Sequence, residues 1–140
     1  MRICIDSCVF INGLTGADPV AMRLLDLVGP DLVVVIPRLI AQEVTRNLQT
    51  AKQVQRFYRL FYQRTFAFIV DELTPTALVN EYAGKGLPGK ADAFVGAFAE
   101  WMQVRYLISN NRHFLRELRT TAFQVLEPAA FIALQEAGLA

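Results

Sequence analysis

Short, mostly apolar runs alternate along this chain with longer segments of helical periodicity. Ile3–Ile5 is the first such run, and Asp6 closes it at once. Leu32–Ile36, LVVVI, is the second. It does not alternate apolar with polar, which is the pattern of a strand covered by helices on both faces. Phe66–Val70, Tyr106–Ile108 and Phe123–Leu126 read as three further strands. Between them the apolar positions recur at helical spacing. Cys8–Asn12 reads as a short helical turn ended by Gly13. Asp18-Pro19 supplies a cap and a first-turn proline for a helix with Met22, Leu24, Leu25 and Val28 on one side, and Gly29-Pro30 stops it. Pro37 opens a helix lined by Leu39, Ile40, Val44 and Leu48. Strands alternating with helices predict a parallel sheet with helices on both sides.

The remaining helices carry more chemical variety. Residues 51–64 place Val54, Phe57, Tyr58, Phe61 and Tyr62 at i, i+3, i+4, i+7 and i+8, with Arg56, Arg59 and Arg64 on the other side. Such a stripe is either core or a face for a second subunit or partner helix. Thr74-Pro75 begins a helix to about Tyr82, Ala91–Gln103 forms another, Arg112–Leu118 a short one, and Pro128 starts the last. The loop Gly84–Lys90, GKGLPGK, mimics two nucleotide-binding patterns. Both require a strand directly before the loop, and TPTALVNEYA reads as helix. A P-loop also needs Ser or Thr after its lysine, where this chain has Ala91. The loop is therefore read as a helix-to-helix connection.

Composition narrows the class. The 140 residues are 54% hydrophobic and 19% charged, which fits one folded domain over residues 1–140 and argues against disorder. No apolar run reaches the roughly 18 residues of a membrane span, and no leader pattern opens the chain. The two cysteines, Cys4 and Cys8, flank the first strand-to-helix transition and suggest no disulfide framework, so a reducing cytoplasm is expected. With a net charge of +1, a nucleic-acid partner would have to be held by a local basic patch.

Three acids stand apart from the rest. Asp6 follows the first strand, Glu43 lies in the helix after the second, and Asp92 opens the helix before the fourth. Asp6 taken alone reads first as a helix N-cap. In an open α/β sheet, however, all three could converge at the carboxyl ends of the strands. Carboxylates so grouped repel one another unless a cation joins them. That favours Mg²⁺ or Mn²⁺ with oxygen ligands, and phosphoryl chemistry.

The segments IDSCVFI, IPRLIAQEV, GKADAFVGAFAE and LISNNRHF occur in this order between Arg2 and about Leu126. In that order and spacing the chain resembles PIN domains, and within them the VapC-like toxins of bacterial and archaeal toxin–antitoxin pairs. The resemblance implies a three-layer α/β/α sandwich with a parallel five-stranded sheet of order 3-2-1-4-5. It implies a Mg²⁺- or Mn²⁺-dependent endoribonuclease, an RNA substrate, a cognate antitoxin and a homodimer. It maps the family's acids onto Asp6, Glu43 and Asp92, and its fourth acid onto Asn111.

Two positions depart from the family pattern. Cys8 stands where many members have Asn, and Asn111 stands where many have Asp. An amide at 111 keeps an acceptor oxygen but brings no charge. Ser7 and Ser109 are candidates to hold water or metal ligands, or simple turn and cap residues. Arg46, Lys90 and Arg112, with Arg56, Arg59 and Lys85, are candidates to guide an RNA backbone, or a solvated face. His113, the only histidine, is expected at a surface or helix end, and Trp101 and Tyr106 in the core. The alternative reading is a catalytically weak PIN-like module that binds RNA or protein. A receiver-type phosphoacceptor is disfavoured, because no Asp closes the third strand and no Lys the last.

Overall fold

The computed structural model describes residues 1–62 and 66–140. Arg64 of the predicted arginine face therefore lies outside the described residues. The five apolar runs are strands: β1 (Arg2–Ile5), β2 (Val33–Pro37), β3 (Ala67–Val70), β4 (Tyr106–Ile108) and β5 (Gln124–Leu126). All pair in parallel, in the order β3-β2-β1-β4-β5. Ile3 is in register with Val34 on one side and Tyr106 on the other, so β1 is the central strand. It is buried from Ile3 to Ile5.

The helices are α1 (Ser7–Thr15), α2 (Pro19–Asp26), α3 (Arg38–Asn47), α4 (Ala51–Tyr62), α5 (Thr76–Gly84), α6 (Lys90–Trp101) and α7 (Pro128–Glu136). α1 packs on α2, α3 and α4, and α2 packs on α7. On the other side of the sheet α5 packs on α6. The result is the three-layer α/β/α sandwich expected. The chain leaves β1 toward β2 and reaches β4 by crossing over, so strand order switches between β1 and β4. That is where an open α/β sheet leaves a crevice at its carboxyl edge. Among the described residues no helix is long and apolar enough to cross a membrane.

Several elements differ from the expectation in instructive ways. The turn read at Cys8–Asn12 is a nine-residue helix, and Gly13 lies inside it. A Cβ on Gly13 would sit 2.8 Å from Leu25 Cδ1 and 3.1 Å from the Ala21 carbonyl oxygen. This glycine lets α1 and α2 approach closely. The helix ends instead at Gly16, whose φ of 80° is the left-handed C-cap conformation. The helix expected to run to Gln103 stops at Trp101, and Gln103 itself has φ 55°. The segment Arg112–Leu118 is a π-helical turn over His113–Glu117, closed by Leu118 N–H donating to the His113 carbonyl at 2.9 Å.

The aromatic stripe of α4 is core on one side and surface on the other. Phe57 is fully buried, edge-on to Phe10 with ring centroids 5.3 Å apart, and Phe61 packs on both rings. Tyr58 and Tyr62 stack on each other at 5.8 Å on the outer side, where Tyr62 is 79% exposed. Tyr106 is in the core against Phe131, whereas Trp101 is only half-buried.

Candidate metal centre

Asp6 is delivered by β1 and fixed by the start of α1. Its backbone N–H donates to the Ile108 carbonyl at 2.9 Å, extending the β1–β4 pairing by one residue. Its backbone is extended (φ −71°, ψ 158°), and Oδ1 accepts from the Ser7 N–H at 2.8 Å. Asp6 is thus an N-cap after all, but the cap uses one carboxylate oxygen. The other, Oδ2, accepts a 2.7 Å hydrogen bond from Ser109 Oγ, just past β4. Cys8 Sγ lies 3.8 Å from the same oxygen.

Glu43 reaches the same place from the second turn of α3, where Ser7 Oγ donates to its Oε2 at 2.8 Å. Asp92 comes from the first turn of α6, where the helix dipole favours a carboxylate. Asn111 stands beside it, with Nδ2 3.5 Å from Asp92 Oδ1. Asp6, Ser7, Cys8, Glu43, Asp92, Asn110 and Asn111 together line one cleft of about 310 Å³. The three acids singled out in the sequence, drawn from three separate elements, therefore face a common space.

Burial is the main reason the Asp6 carboxyl is raised above the ordinary carboxylate range. Hydrogen bonds from Ser109 and Ser7 pull it down, and the charges of Asp92 and Glu43 push it up again. Burial, with Asp6 beside it, also pushes the Cys8 thiol up, so Cys8 faces the cleft as a neutral thiol.

The donor set suits a hard cation. Its oxygens come from carboxylate, hydroxyl and amide groups, and no Lys or Arg is among the lining residues. Among the described residues, no three His, Cys, Asp or Glu side chains are gathered closely enough to enclose a bare ion. Mg²⁺ is commonly held by one or two carboxylates while it keeps several waters. The cleft fits an ion of that kind and does not fit a dehydrated one in a closed three-acid shell.

The two serines act through the acids. Ser7 joins Asp6 to Glu43, and Ser109 joins Asp6 to the loop after β4, because its Oγ also accepts from the Asn111 N–H at 2.9 Å. Ser109 is fully buried. Ser109→Ala would leave Asp6 Oδ2 without its strongest donor and the Asn111 N–H without its acceptor. We expect a loss of about 1–3 kcal/mol in urea unfolding at neutral pH. A midpoint matching the wild type would show that the bridge contributes nothing to the fold.

The basic candidates separate into groups. Lys90 is the first residue of α6, Arg112 adjoins Asn111, and Arg46 lies one turn beyond Glu43; all three are exposed. Arg56 and Arg59 line a different cleft, formed by α1, α2 and α4, and so do not flank the acids. Lys85 is half-buried with Nζ 4.7 Å above the Tyr82 ring, which gives it a structural partner. His113 sits in the π-helical turn and pairs with Glu117. The sequence reading missed the part of the Gly84–Lys90 loop in this site. Gly86 packs against the Glu117 carbonyl, and the Arg119 N–H donates to the Lys85 carbonyl at 2.8 Å. The loop thereby ties the start of α6, which carries Asp92, to the turn that follows Asn111. Its glycine content was the available signal.

No protein-family profile and no curated protein matches the sequence. Solved structures share its fold. A chain of VapBC2 from Rickettsia felis, bound to a DNA fragment from their promoter, matches with a TM-score of 0.67 and 15% identity, covering 91% of this chain and 98% of that one. A toxin–antitoxin complex from Klebsiella pneumoniae gives 0.65 and 16% identity, covering 90% and 97%. VapBC-1 from nontypeable Haemophilus influenzae gives 0.63 and 17%, covering 92% and 99%. The chain has the PIN-like fold expected from its motifs.

Proposed function

We propose that this chain is a metal-dependent endoribonuclease and the toxin of a toxin–antitoxin pair, acting on RNA in the cytoplasm. The observation that carries this reading is the convergence of Asp6, Glu43 and Asp92 on one cleft, at the switch in strand order. The fold it shares with chains of toxin–antitoxin complexes adds support. When bound, Mg²⁺ or Mn²⁺ supplies Lewis-acid chemistry, activating water and screening the charge that builds on phosphate.

The chain's own residues do the rest. Ser109 and the Ser7 N–H hold the Asp6 carboxylate in one orientation, and Ser7 Oγ holds Glu43. Lys90, Arg112 and Arg46, exposed and each within three residues of a residue that lines the cleft, would draw in the RNA backbone and keep it close to the carboxylates. Single-stranded RNA suits so small an opening, since its backbone and bases are free to bend into it. An antitoxin would inhibit by covering the cleft and placing a basic side chain among the acids. The Tyr58–Tyr62 stack, with Tyr62 exposed and Tyr58 half-buried, is a candidate face for a homodimer.

The test is cleavage of a mixed RNA pool by purified, partner-free protein with Mn²⁺ or Mg²⁺ and with EDTA. Cutting that requires the cation is expected. Absence of cutting by folded protein would overturn the nuclease reading and favour a module that binds RNA or protein without hydrolysis, to which the uncharged Asn111 points.

A further inference from the structure

We propose that the acid cleft takes a single divalent cation, because Asn111 turns an amide N–H, not an oxygen, toward Asp92. This rests on the metal-dependent reading of the cleft and adds to it the stoichiometry and the residue that sets it.

The orientation of the Asn111 amide is set by a hydrogen bond at its oxygen and matched by a longer contact at its nitrogen. Its Oδ1 accepts from the His113 N–H at 2.9 Å, and its Nδ2 lies 3.5 Å from Asp92 Oδ1. Turning the amide over would set its NH₂ against the His113 N–H, donor to donor. It would also set its oxygen against a carboxylate oxygen, acceptor to acceptor. Both changes are unfavourable, so the positive end of the amide dipole stays toward Asp92. The oxygen accepts from the His113 N–H and is therefore the amide atom turned away from Asp92. A cation approaching Asp92 from the Asn111 side meets hydrogens.

Charge counting leads to the same stoichiometry. Asp6, Glu43 and Asp92 bring at most three negative charges, and Asn111 brings none. One divalent ion leaves the cleft slightly negative. Two would leave it positive, with two double charges held about 3.5–4 Å apart, the usual spacing of paired catalytic ions. A fourth carboxylate at position 111 would restore the balance. Its oxygen could still accept from the His113 N–H, so Asn111→Asp keeps the local turn.

The experiment is a titration of the EDTA-stripped full chain with Mn²⁺ alone, reading free Mn²⁺ by electron paramagnetic resonance. Wild type is expected to bind one Mn²⁺ per chain, and Asp6→Asn to lose at least tenfold in affinity. Asn111→Asp is expected to bind two, the second at least tenfold tighter than any second ion in wild type. Two sites of comparable affinity in wild type would overturn the proposal, as would a folded Asn111→Asp protein that still binds one. The wild-type count decides the matter even if the variant does not fold. No binding by folded wild type would overturn the metal reading itself. One tightly bound ion in a protein that cuts no RNA would uphold the stoichiometry and overturn only the nuclease.

Discussion

Asp6→Asn is expected to abolish RNA cleavage while making the metal-free protein more stable at neutral pH. Both effects follow from the position of this carboxylate. It is buried, it joins the cleft to the centre of the sheet, and its charge faces those of Glu43 and Asp92. Removing the charge removes the main anchor for a cation, and about a 10³-fold or greater loss of rate is reasonable for a group of this kind. Asn is as good an N-cap as Asp, so α1 keeps its start. Ser109 Oγ, now a donor to Oδ2, can accept from the new amide instead.

The stability effect has a definite sign. Burial raises the folded-state value of Asp6 above that of the unfolded chain, ordinarily about 3.9. Stability from this group is therefore complete below that pH and is lost as pH rises through the raised value. Asp71 and Glu117, lowered by hydrogen bonds from Arg38 and His113, act in the opposite sense at acid pH. The difference in melting temperature between wild type and Asp6→Asn, followed against pH in EDTA, isolates the Asp6 contribution. It should be near zero at about pH 4 and widen as pH rises through the raised value, with the variant melting higher. Mn²⁺ should raise the wild-type melting temperature more than that of the variant. A variant that melts below wild type across this range would show that Asp6 serves the fold more than the site.

How far the sequence could lead depended on the kind of information each residue carried. The strands were legible because each is a short, mostly apolar run between breakers, and burial of β1, β2 and β4 on both faces leaves no alternation there. Asp6 and Asp92 were legible because each sits next to a strand end or a helix start, Glu43 because it lies in the helix that follows β2, and topology brings those places together. Position along the chain said much less about helix rotation. Arg56 and Arg59 face the α1–α2 cleft because Phe57 and Phe61 must face Phe10, a partner about fifty residues away in the sequence. The amide of Asn111 was read as an available oxygen. Its direction is set by the His113 N–H in a π-helical turn, which no periodicity announces. Gly13 was read as a stop because glycine carries no mark to distinguish close packing from a helix end.

Gly86 is the last such case, and Gly86→Ala is expected to be among the most damaging single changes in the chain. Its φ of +104° is one that side-chain-bearing residues rarely adopt. A Cβ there would stand 2.0 Å from the Glu117 carbonyl oxygen and 2.8 Å from its carbon. Both are backbone atoms, so no rotamer change can relieve the overlap. The loop and the end of the π-helical turn would have to separate, breaking the 2.8 Å bond from the Arg119 N–H to the Lys85 carbonyl. Strain and lost packing together should cost about 3–5 kcal/mol, a large part of the roughly 5–15 kcal/mol that holds a domain of this size together. Gly84 and Gly89 flank the same loop, have no atom within 4 Å of a built Cβ and do not have positive φ, so their alanine variants should unfold close to wild type. Urea unfolding of the three variants side by side distinguishes a position-specific effect from general loop sensitivity. A Gly86→Ala midpoint level with the other two would mean that the loop can move off the turn at little cost. It would also remove the mechanical link between Asp92 at the start of α6 and Asn111 ahead of the turn. If the link is real, a partly folded Gly86→Ala protein should also bind Mn²⁺ more weakly than wild type, although no atom of Gly86 lines the cleft.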